Sequence, residues 1–502
     1  MTPVLTGART PIVPGFYPDP TVCRVGDDYY LAHSSFEYFP GVPIWHSRDL
    51  LRWNQIGHVL TRRSQFARLE PRGSSGLWAG TLRHHDGRFF YVTTNTSDFD
   101  AGQLVVWADD PAGPWSDPLR VPEAYGIDPD LAWHEGKCYL TWNAWPSARD
   151  DRGGVVQARL DLETGRLLEP VYPVWQGSGL EVPEGPHLYE VDGSWYLLLA
   201  EGGTERGHVV TVARGPHPSG PFEGCPANPI FTHRSSTHPV QNVGHADLVR
   251  TREGGWAAVY LGVRPGGLSP KFHVVGRETF LAGVDWVDGW PVFAENKFQI
   301  PAAETGFVDA FDRPELDLRW VVPGGEASAF TQLDPAGGLT VLPVIGQPSD
   351  STGSAGVLCC RVRDLRWSAE ATLEGPGRFL LRIDERHAYG LRRDENQVTA
   401  TARIGDLDID LTSVPVPSGP ATLRIEAVTS RSASLPLAGP DDIVLSHAGP
   451  DGPHELARLD GRYLSTEVAT GFTGRMLALG ATTVPARVRS VTYQPLDDEG
   501  DA

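Results

Sequence analysis

Short apolar and aromatic runs, each cut off by Gly, Pro or Asp, dominate the first 300 residues. Long stretches with apolar residues at a helical period are hard to find, so the pattern predicts a nearly all-β chain. One unit recurs. Gly26-Asp27-Asp28-Tyr29-Tyr30-Leu31, Asp86-Gly87-Arg88-Phe89-Phe90-Tyr91, Glu135-Gly136-Lys137-Cys138-Tyr139-Leu140, Asp192-Gly193-Ser194-Trp195-Tyr196-Leu197 and Glu253-Gly254-Gly255-Trp256-Ala257-Ala258 share a turn followed by a strand. Gly accepts the positive φ that such hairpin turns require. The spacing of roughly 50–60 residues is near the period of a four-stranded propeller blade. Five copies predict five blades, with the aromatic strands packed between them.

Each copy follows a short segment expected to be the innermost strand of its blade. These segments are Phe16–Pro20, Gly76–Gly80, Tyr125–Asp130, Val182–Pro186 and Val243–Asp247. They carry Asp19, Trp78, Asp128, Glu184 and His245 at similar distances from the signature glycine. Inner strands of a propeller surround one axis, so side chains at one register converge at one end of it. Three carboxylates, a Trp and a His would then line one pocket. Glu184 stands in a stiff frame, just ahead of Gly185-Pro186. The competing reading places some of these side chains in hydrogen bonds between blades.

The signature stops after Val292–Lys297. Residues 1–300 are read as the propeller, 301–306 as a linker, 307–496 as a β-sandwich and 497–502 as an acidic, frayed tail. Alternating runs such as Phe379–Ile383 and Ala421–Ala427 support the sandwich. The net charge of −20 argues against a nucleic-acid or anionic-membrane partner. Cys23, Cys138, Cys225, Cys359 and Cys360 show neither a disulfide framework nor zinc-site spacing. They read as buried thiols, with Cys359 and Cys360 on opposite faces of one strand. The N-terminus lacks a signal-peptide pattern and no run is long enough to span a bilayer, so a cytoplasmic location is expected.

Two carboxyl groups facing a glycosidic bond suffice to hydrolyse it. One protonates the leaving oxygen, and the other activates water or attacks the sugar. The donor needs a raised pKa, which burial and a neighbouring carboxylate supply, so a third acid has a role as tuner. Phe36 and Trp78 are candidates to stack on a sugar face, with inter-blade packing as the alternative. A guanidinium near the acids would bind hydroxyls and lower the base's pKa, with a structural ion pair as its other reading.

Pro11–Pro20, Ser34–Ile44, Tyr125–Pro129, Glu184–His187, Gly244–Asp247 and Gly276–Thr279 resemble the motifs of glycoside hydrolase family 43. The resemblance is to its two-domain β-xylosidases and extends to Leu464–Val468 and Gly471–Gly474 in the sandwich. It implies a five-bladed propeller followed by a jelly-roll, concanavalin-like sandwich, and an inverting mechanism. Asp19 matches the family's general base, Glu184 the general acid, and Asp128 the acid that raises the donor's pKa. Phe36, Trp78, His245 and Arg277 match pocket positions. Inversion requires the two carboxyls to stand about 6.5–9.5 Å apart. The sandwich is expected to close one end of the pocket through a loop carrying Phe472, favouring exo cleavage. His33 and Gly80 depart from the family's usual residues and are expected to adjust the pocket wall.

No cofactor is required on this reading. Some relatives bind a cation on the axis, so the resemblance leaves a Ca2+ near His245 open, although no oxygen-ligand cluster is evident in the sequence. The substrate is a short oligosaccharide, and relatives suggest a dimer or tetramer. The expected activity is release of D-xylose from non-reducing ends of β-1,4-xylo-oligosaccharides. An α-L-arabinofuranosidase, or one enzyme with both activities, is the nearest alternative. A retaining enzyme and a non-catalytic sugar-binding propeller stand further off.

Overall fold

The computed structural model describes residues 10–66, 68–146, 153–344, 356–431, 437–449 and 452–496. The acidic tail at 497–502 lies outside them. Five antiparallel sheets follow one another along the first part of the chain, their innermost strands being Thr21–Val25, Leu77–His85, Gly126–His134, Glu184–Val191 and Gln241–Arg250. Each sheet has four strands in chain order apart from two short additions: a paired strand beside the third blade, and a two-residue piece in the first that pairs with the sandwich. The signature glycines sit in the hairpins after the inner strands with φ of 60° (Gly26), 78° (Gly87), 71° (Gly136), 81° (Gly193) and 86° (Gly254).

The aromatic strands do pack between blades. Phe89 and Tyr91 join a core with the first blade, while Phe90 and Val92 join one with the third. Alternate residues of one strand thus bury on opposite faces, as the two-residue period requires. The chain departs from expectation in the first blade, where the inner strand begins at Thr21 rather than Phe16. Asp19 lies between Pro18 and Pro20, which lack the N–H that a ladder needs. It therefore sits on the turn into the strand, at φ 52°.

Two sheets of eight and six strands form a sandwich over the rest of the described chain. Their facing sides bury Trp367, Leu381, Ile425 and Tyr493. Cys360 points into this core, while Cys359 points out to the propeller. All five cysteines are free and buried. Beside Cys359, Val357, Leu380 and Met476 pack against Phe16, Phe36 and Tyr38 of the propeller. Burying each aromatic ring contributes about 1.5–3 kcal/mol, so this contact orients one domain on the other. A short ladder, Tyr38–Phe39 against Val322–Pro323, adds main-chain bonds across the boundary.

A polar layer crosses the propeller axis below the strand starts. Asp247 of the fifth blade accepts from Thr21 Oγ1 at 2.8 Å, from the Val22 N–H at 2.9 Å and from Tyr189 Oη at 2.5 Å. Arg83 of the second blade donates to Asp247 at 2.8 Å, lies 3.0 Å from Asp130 Oδ1 and meets His187 Nδ1 at 3.1 Å. All five blades meet in this layer. Asp247 is fully buried. Burial alone would push its carboxyl up, but Arg83, His187 and the Tyr189 hydroxyl hold it down to about 2.

Replacing Asp247 by Ala leaves Arg83 paired with Asp130 but takes the acceptor from the Thr21 hydroxyl, the Val22 N–H and the Tyr189 hydroxyl in the interior. The expected loss of stability is about 3–5 kcal/mol, read from denaturant midpoints. The sign with pH follows from a depressed carboxyl. Its contribution is complete above the ordinary value of 3.8 and is lost as pH falls toward about 2.

Candidate active site

The inner strands do not run regularly into the axial mouth. Their pairing slips between Leu77 and Gly80, Ile127 and Asp130, Glu184 and His187, and Gly244 and Asp247. Counted back from the hairpins, Asp19, Ala79, Asp128 and Gly185 are equivalent. Asp19, Asp128, Gly185 and His245 all have positive φ, at 52°, 54°, 57° and 48°. The expected common register therefore needs correcting, because Glu184 and Trp78 each stand one residue earlier. In a regular strand that offset would turn the side chain to the opposite face. Here the slip after Glu184 reorients it toward the pocket. Gly185 is needed there, since a Cβ on it would lie 3.1 Å from His245 Nε2.

A cavity of about 280 Å³ at this mouth is lined by Asp19, Asp128, Glu184, His245, Arg277, Phe36, Trp78 and Phe472. All eight residues singled out in the sequence meet there. The same wall holds Trp145, Val182 and Thr204, which sequence reasoning missed. His33 and Gly80 do not line it. His33 is buried beneath Tyr17 and bonds Thr279 Oγ1 at 2.8 Å. Gly80 is pressed against the next strand, where a Cβ would meet Val92 O at 2.5 Å.

Arg277 donates to Asp19 at 2.9 and 3.4 Å and to Thr204 Oγ1 at 3.0 Å. Its guanidinium lies beside the stacked rings of Phe36 and Phe472, 5.8 Å and 5.5 Å from their centroids. Ser34 Oγ donates at 2.6 Å to Asp19 Oδ2, the oxygen that takes the longer Arg277 bond. Both carboxylate oxygens are thereby oriented. Ser34 belongs to the Ser34–Ile44 run, so its sequence signal was present but unread. His245 Nδ1 lies 3.8 Å from Asp19. Burial pushes the imidazole down to about 4, so this contact is with a neutral ring at neutral pH.

Asp128 accepts from the Gly185 N–H at 3.0 Å, which ties it to the residue after Glu184. Glu184 is only partly covered, but the protein around its carboxyl is dense. That burial, then the charge of Asp19, raises it to about 7 against the pull of Arg277. Asp128 is also pushed well above the carboxylate range, first by burial and then by Glu184 and Asp19. One guanidinium cannot offset three negative charges in so small a space. Both carboxyls are therefore held toward their protonated forms.

Ser74 links three walls. Its N–H donates to Glu37 Oε2 at 3.0 Å, its carbonyl accepts from Trp78 Nε1 at 2.9 Å, and its hydroxyl accepts from the Phe472 N–H at 2.8 Å. The Phe472 loop is also seated from the other side. The Gly474 Cα lies close to the main chain of Val275 and Gly276, and a Cβ there would meet Val275 O at 2.5 Å. Glu467 accepts from the His273 N–H at 2.9 Å and meets its ring at 2.8 Å. The sandwich thus grips the propeller segment that leads to Arg277.

The axial layer below His245 does not suit the Ca2+ that the resemblance leaves open. Its two carboxylates, Asp130 and Asp247, already face the Arg83 guanidinium. Calcium needs a shell of six to eight oxygens.

A five-bladed propeller with acids from separate blades around one hole, capped by a sandwich, defines the class of a carbohydrate-active propeller. Comparison with known proteins makes the assignment specific. Residues 8–291 match the model of glycosyl hydrolases family 43, and 308–493 match that of the β-xylosidase C-terminal concanavalin A-like domain. A xylosidase/arabinosidase of Butyrivibrio fibrisolvens is 37% identical over 95% of this chain and 96% of its own. The non-reducing end α-L-arabinofuranosidase BoGH43B of Bacteroides ovatus is 34% identical over 94% and 91%. The crystal structure of a xylan β-1,4-xylosidase from Bacillus halodurans superposes with a TM-score of 0.84 at 27% identity, covering 97% of this chain and 100% of that one. The chain belongs to glycoside hydrolase family 43, in its two-domain branch.

Two outcomes follow from this geometry. A carboxyl raised in the fold favours the native state below its ordinary pKa and loses that advantage as pH rises. Glu184 should thus cost stability between its ordinary 4.5 and about 7. Denaturant midpoints of the wild type should fall from pH 5 to pH 8 more steeply than those of Glu184→Gln. Ser74→Ala should loosen Phe472 and Trp78, raising KM for a short glycoside about 3–10-fold while kcat changes less, in steady-state kinetics.

Proposed function

We propose that this enzyme is an inverting exo-glycosidase that releases D-xylose from the non-reducing ends of β-1,4-xylo-oligosaccharides. One observation carries the reading: Asp19, Asp128 and Glu184, from three different blades, face the same small cavity together with Arg277. Phe472 from the sandwich covers one side of it, which favours a chain end over a chain middle.

Asp19 is assigned as the base. Arg277 and Ser34 hold its carboxylate so that it takes a proton from a water attacking the anomeric carbon. Glu184, protonated up to about pH 7, gives its proton to the leaving oxygen as the glycosidic bond breaks. Asp128 accepts from the Gly185 N–H, so it positions the residue next to the donor. Phe36, Trp78 and Phe472 present ring faces and edges to the sugar, and Arg277 and His245 present donors to its hydroxyls.

A second reading is α-L-arabinofuranosidase activity, alone or beside the first. The names of the Bacteroides and Butyrivibrio relatives favour it. Assaying the nitrophenyl β-D-xylopyranoside and α-L-arabinofuranoside side by side decides between them. The expected result is a higher kcat/KM on the xyloside, and the reverse order overturns the preference.

Glu184→Gln should lower kcat on xylobiose by about 10²–10⁴-fold and less on the nitrophenyl xyloside, whose leaving group needs little protonation. Asp19→Ala should abolish turnover of both. Unchanged turnover in either variant rules out the assigned role. In the wild type kcat should fall as pH rises past about 7, where Glu184 loses its proton. Proton NMR of early product should show α-xylose first; β-xylose first would mean retention.

A further inference from the structure

On the fifth blade, two histidines and a glutamate come together apart from the three acids. His233 and His238 flank a surface loop whose residues 234–237 are exposed, while both histidines are buried. Glu295 opens the short turn that follows the blade's outermost strand, Trp290–Ala294. One nitrogen of each ring and one carboxylate oxygen lie within 4.8 Å of one another, and no other such group of three occurs among the described residues. None of the three lines the candidate active site.

A plain ion pair accounts for only part of this arrangement. His233 Nδ1 faces the Val240 carbonyl at 2.9 Å, and its Nε2 faces Glu295 Oε2 at 2.9 Å. A carbonyl and a carboxylate accept, and a neutral imidazole has one N–H to give. A metal ion in place of a proton on Nε2 satisfies both sides. Nδ1–H then donates to the carbonyl, and Nε2 offers its lone pair to the ion. The second imidazole is also more than a pair needs. The His238 ring centroid is 3.9 Å from that of His233, and its Nδ1 sits 3.1 Å from Val240 O and 3.2 Å from Val240 N. One main-chain residue thus seats both rings. The carboxylate is steered as well. Tyr260 Oη donates to Glu295 Oε1 at 2.7 Å, which turns Oε2 toward the histidines. Phe231 packs on His233 and stacks on Phe293, giving the group an apolar wall.

We propose that His233, His238 and Glu295 form a binding site for a zinc ion, with water as its fourth ligand. Two imidazoles and a carboxylate suit zinc better than calcium or magnesium, which take shells of oxygens. Zinc at about 2.0–2.2 Å from each ligand sets tetrahedral ligands about 3.4 Å apart. Ligand atoms already within 4.8 Å of one another need only small side-chain rotations to close on it. Each ligand also has the outer partner that orients it: the Val240 main chain for the rings and the Tyr260 hydroxyl for the carboxylate. The ion's role is structural. The loop holding both histidines leads into the inner strand at Gln241, and Glu295 follows the outermost strand. Zinc therefore fastens the two ends of the fifth blade, whose inner strand carries His245 and Asp247.

Isothermal titration of the chelator-treated full chain with zinc chloride tests this without using turnover. Its result is therefore independent of which glycoside the enzyme cleaves. One equivalent should bind, and calcium and magnesium should fail to compete for it. Zinc at about 100 times its Kd should raise the wild-type Tm by about 3–5 °C. His238→Gln and Glu295→Gln should each weaken binding of that equivalent by about 100-fold or more and remove the rise in Tm. Both variants should keep wild-type turnover of the nitrophenyl glycoside, which shows that they fold. Cobalt bound to the wild type should show the visible absorption of a tetrahedral site, a readout that needs no variant. No stoichiometric zinc, displacement by calcium, an octahedral cobalt spectrum, or full affinity in both variants would overturn the proposal.

Discussion

The five blades are held in register by one buried acid. Asp247 draws in groups from the first, second and fourth blades, and Arg83 extends the contact to Asp130 and His187 of the third and fourth. The first and fifth blades are neighbours in the ring but lie at opposite ends of the propeller sequence. Each blade is also complete in its own stretch of chain. Ring closure therefore rests on these side chains together with a short main-chain bridge from Ile12 and Val13 to Thr279 of the fifth blade. A carboxylate is well suited, since its two oxygens accept from several directions at once. Its neutralisation by Arg83 is what makes its burial tolerable.

That layer fixes where the strands begin, and the strand starts carry the chemistry. The slips and positive φ values at the mouth re-aim side chains that regular pleating would send elsewhere. They concentrate negative charge, and the fold answers with one cation. Arg277 lies against the stacked rings of Phe36 and Phe472, which shield it from water and strengthen its attraction to Asp19. Glu184 and Asp128 are left short of charge compensation, which is why both are held toward their protonated forms.

The sandwich is part of the site as well as its cover. It delivers Phe472, fastens the loop through Ser74, and clamps His273 with Glu467 a few residues before Arg277. Gly474 allows the two main chains to touch. The propeller alone would lack one wall of the cavity and one of the two rings beside Arg277, the cation bonded to Asp19.

The sequence by itself determined the all-β character, the five blades and Asp19, Trp78, Asp128, Glu184 and His245 as pocket residues, through Gly turns, alternating strands and a repeated place in each unit. Arg277 and Phe472 were legible only through the motifs that resemble the family's. Cys359 and Cys360 were read correctly for the same reason, because adjacent residues of a strand face opposite ways. Tertiary structure decided the rest. Asp130, His187 and Asp247 lie two residues beyond Asp128, Gly185 and His245 on the same strands, yet only the closed ring shows that they meet Arg83. Glu184 reaches the pocket one residue out of step because a slip and Gly185 permit it. His33 and Gly80 seemed to belong to the wall but are packed behind it. Such facts depend on which strand approaches which, and residues far apart in the chain settle that through packing that no local pattern encodes.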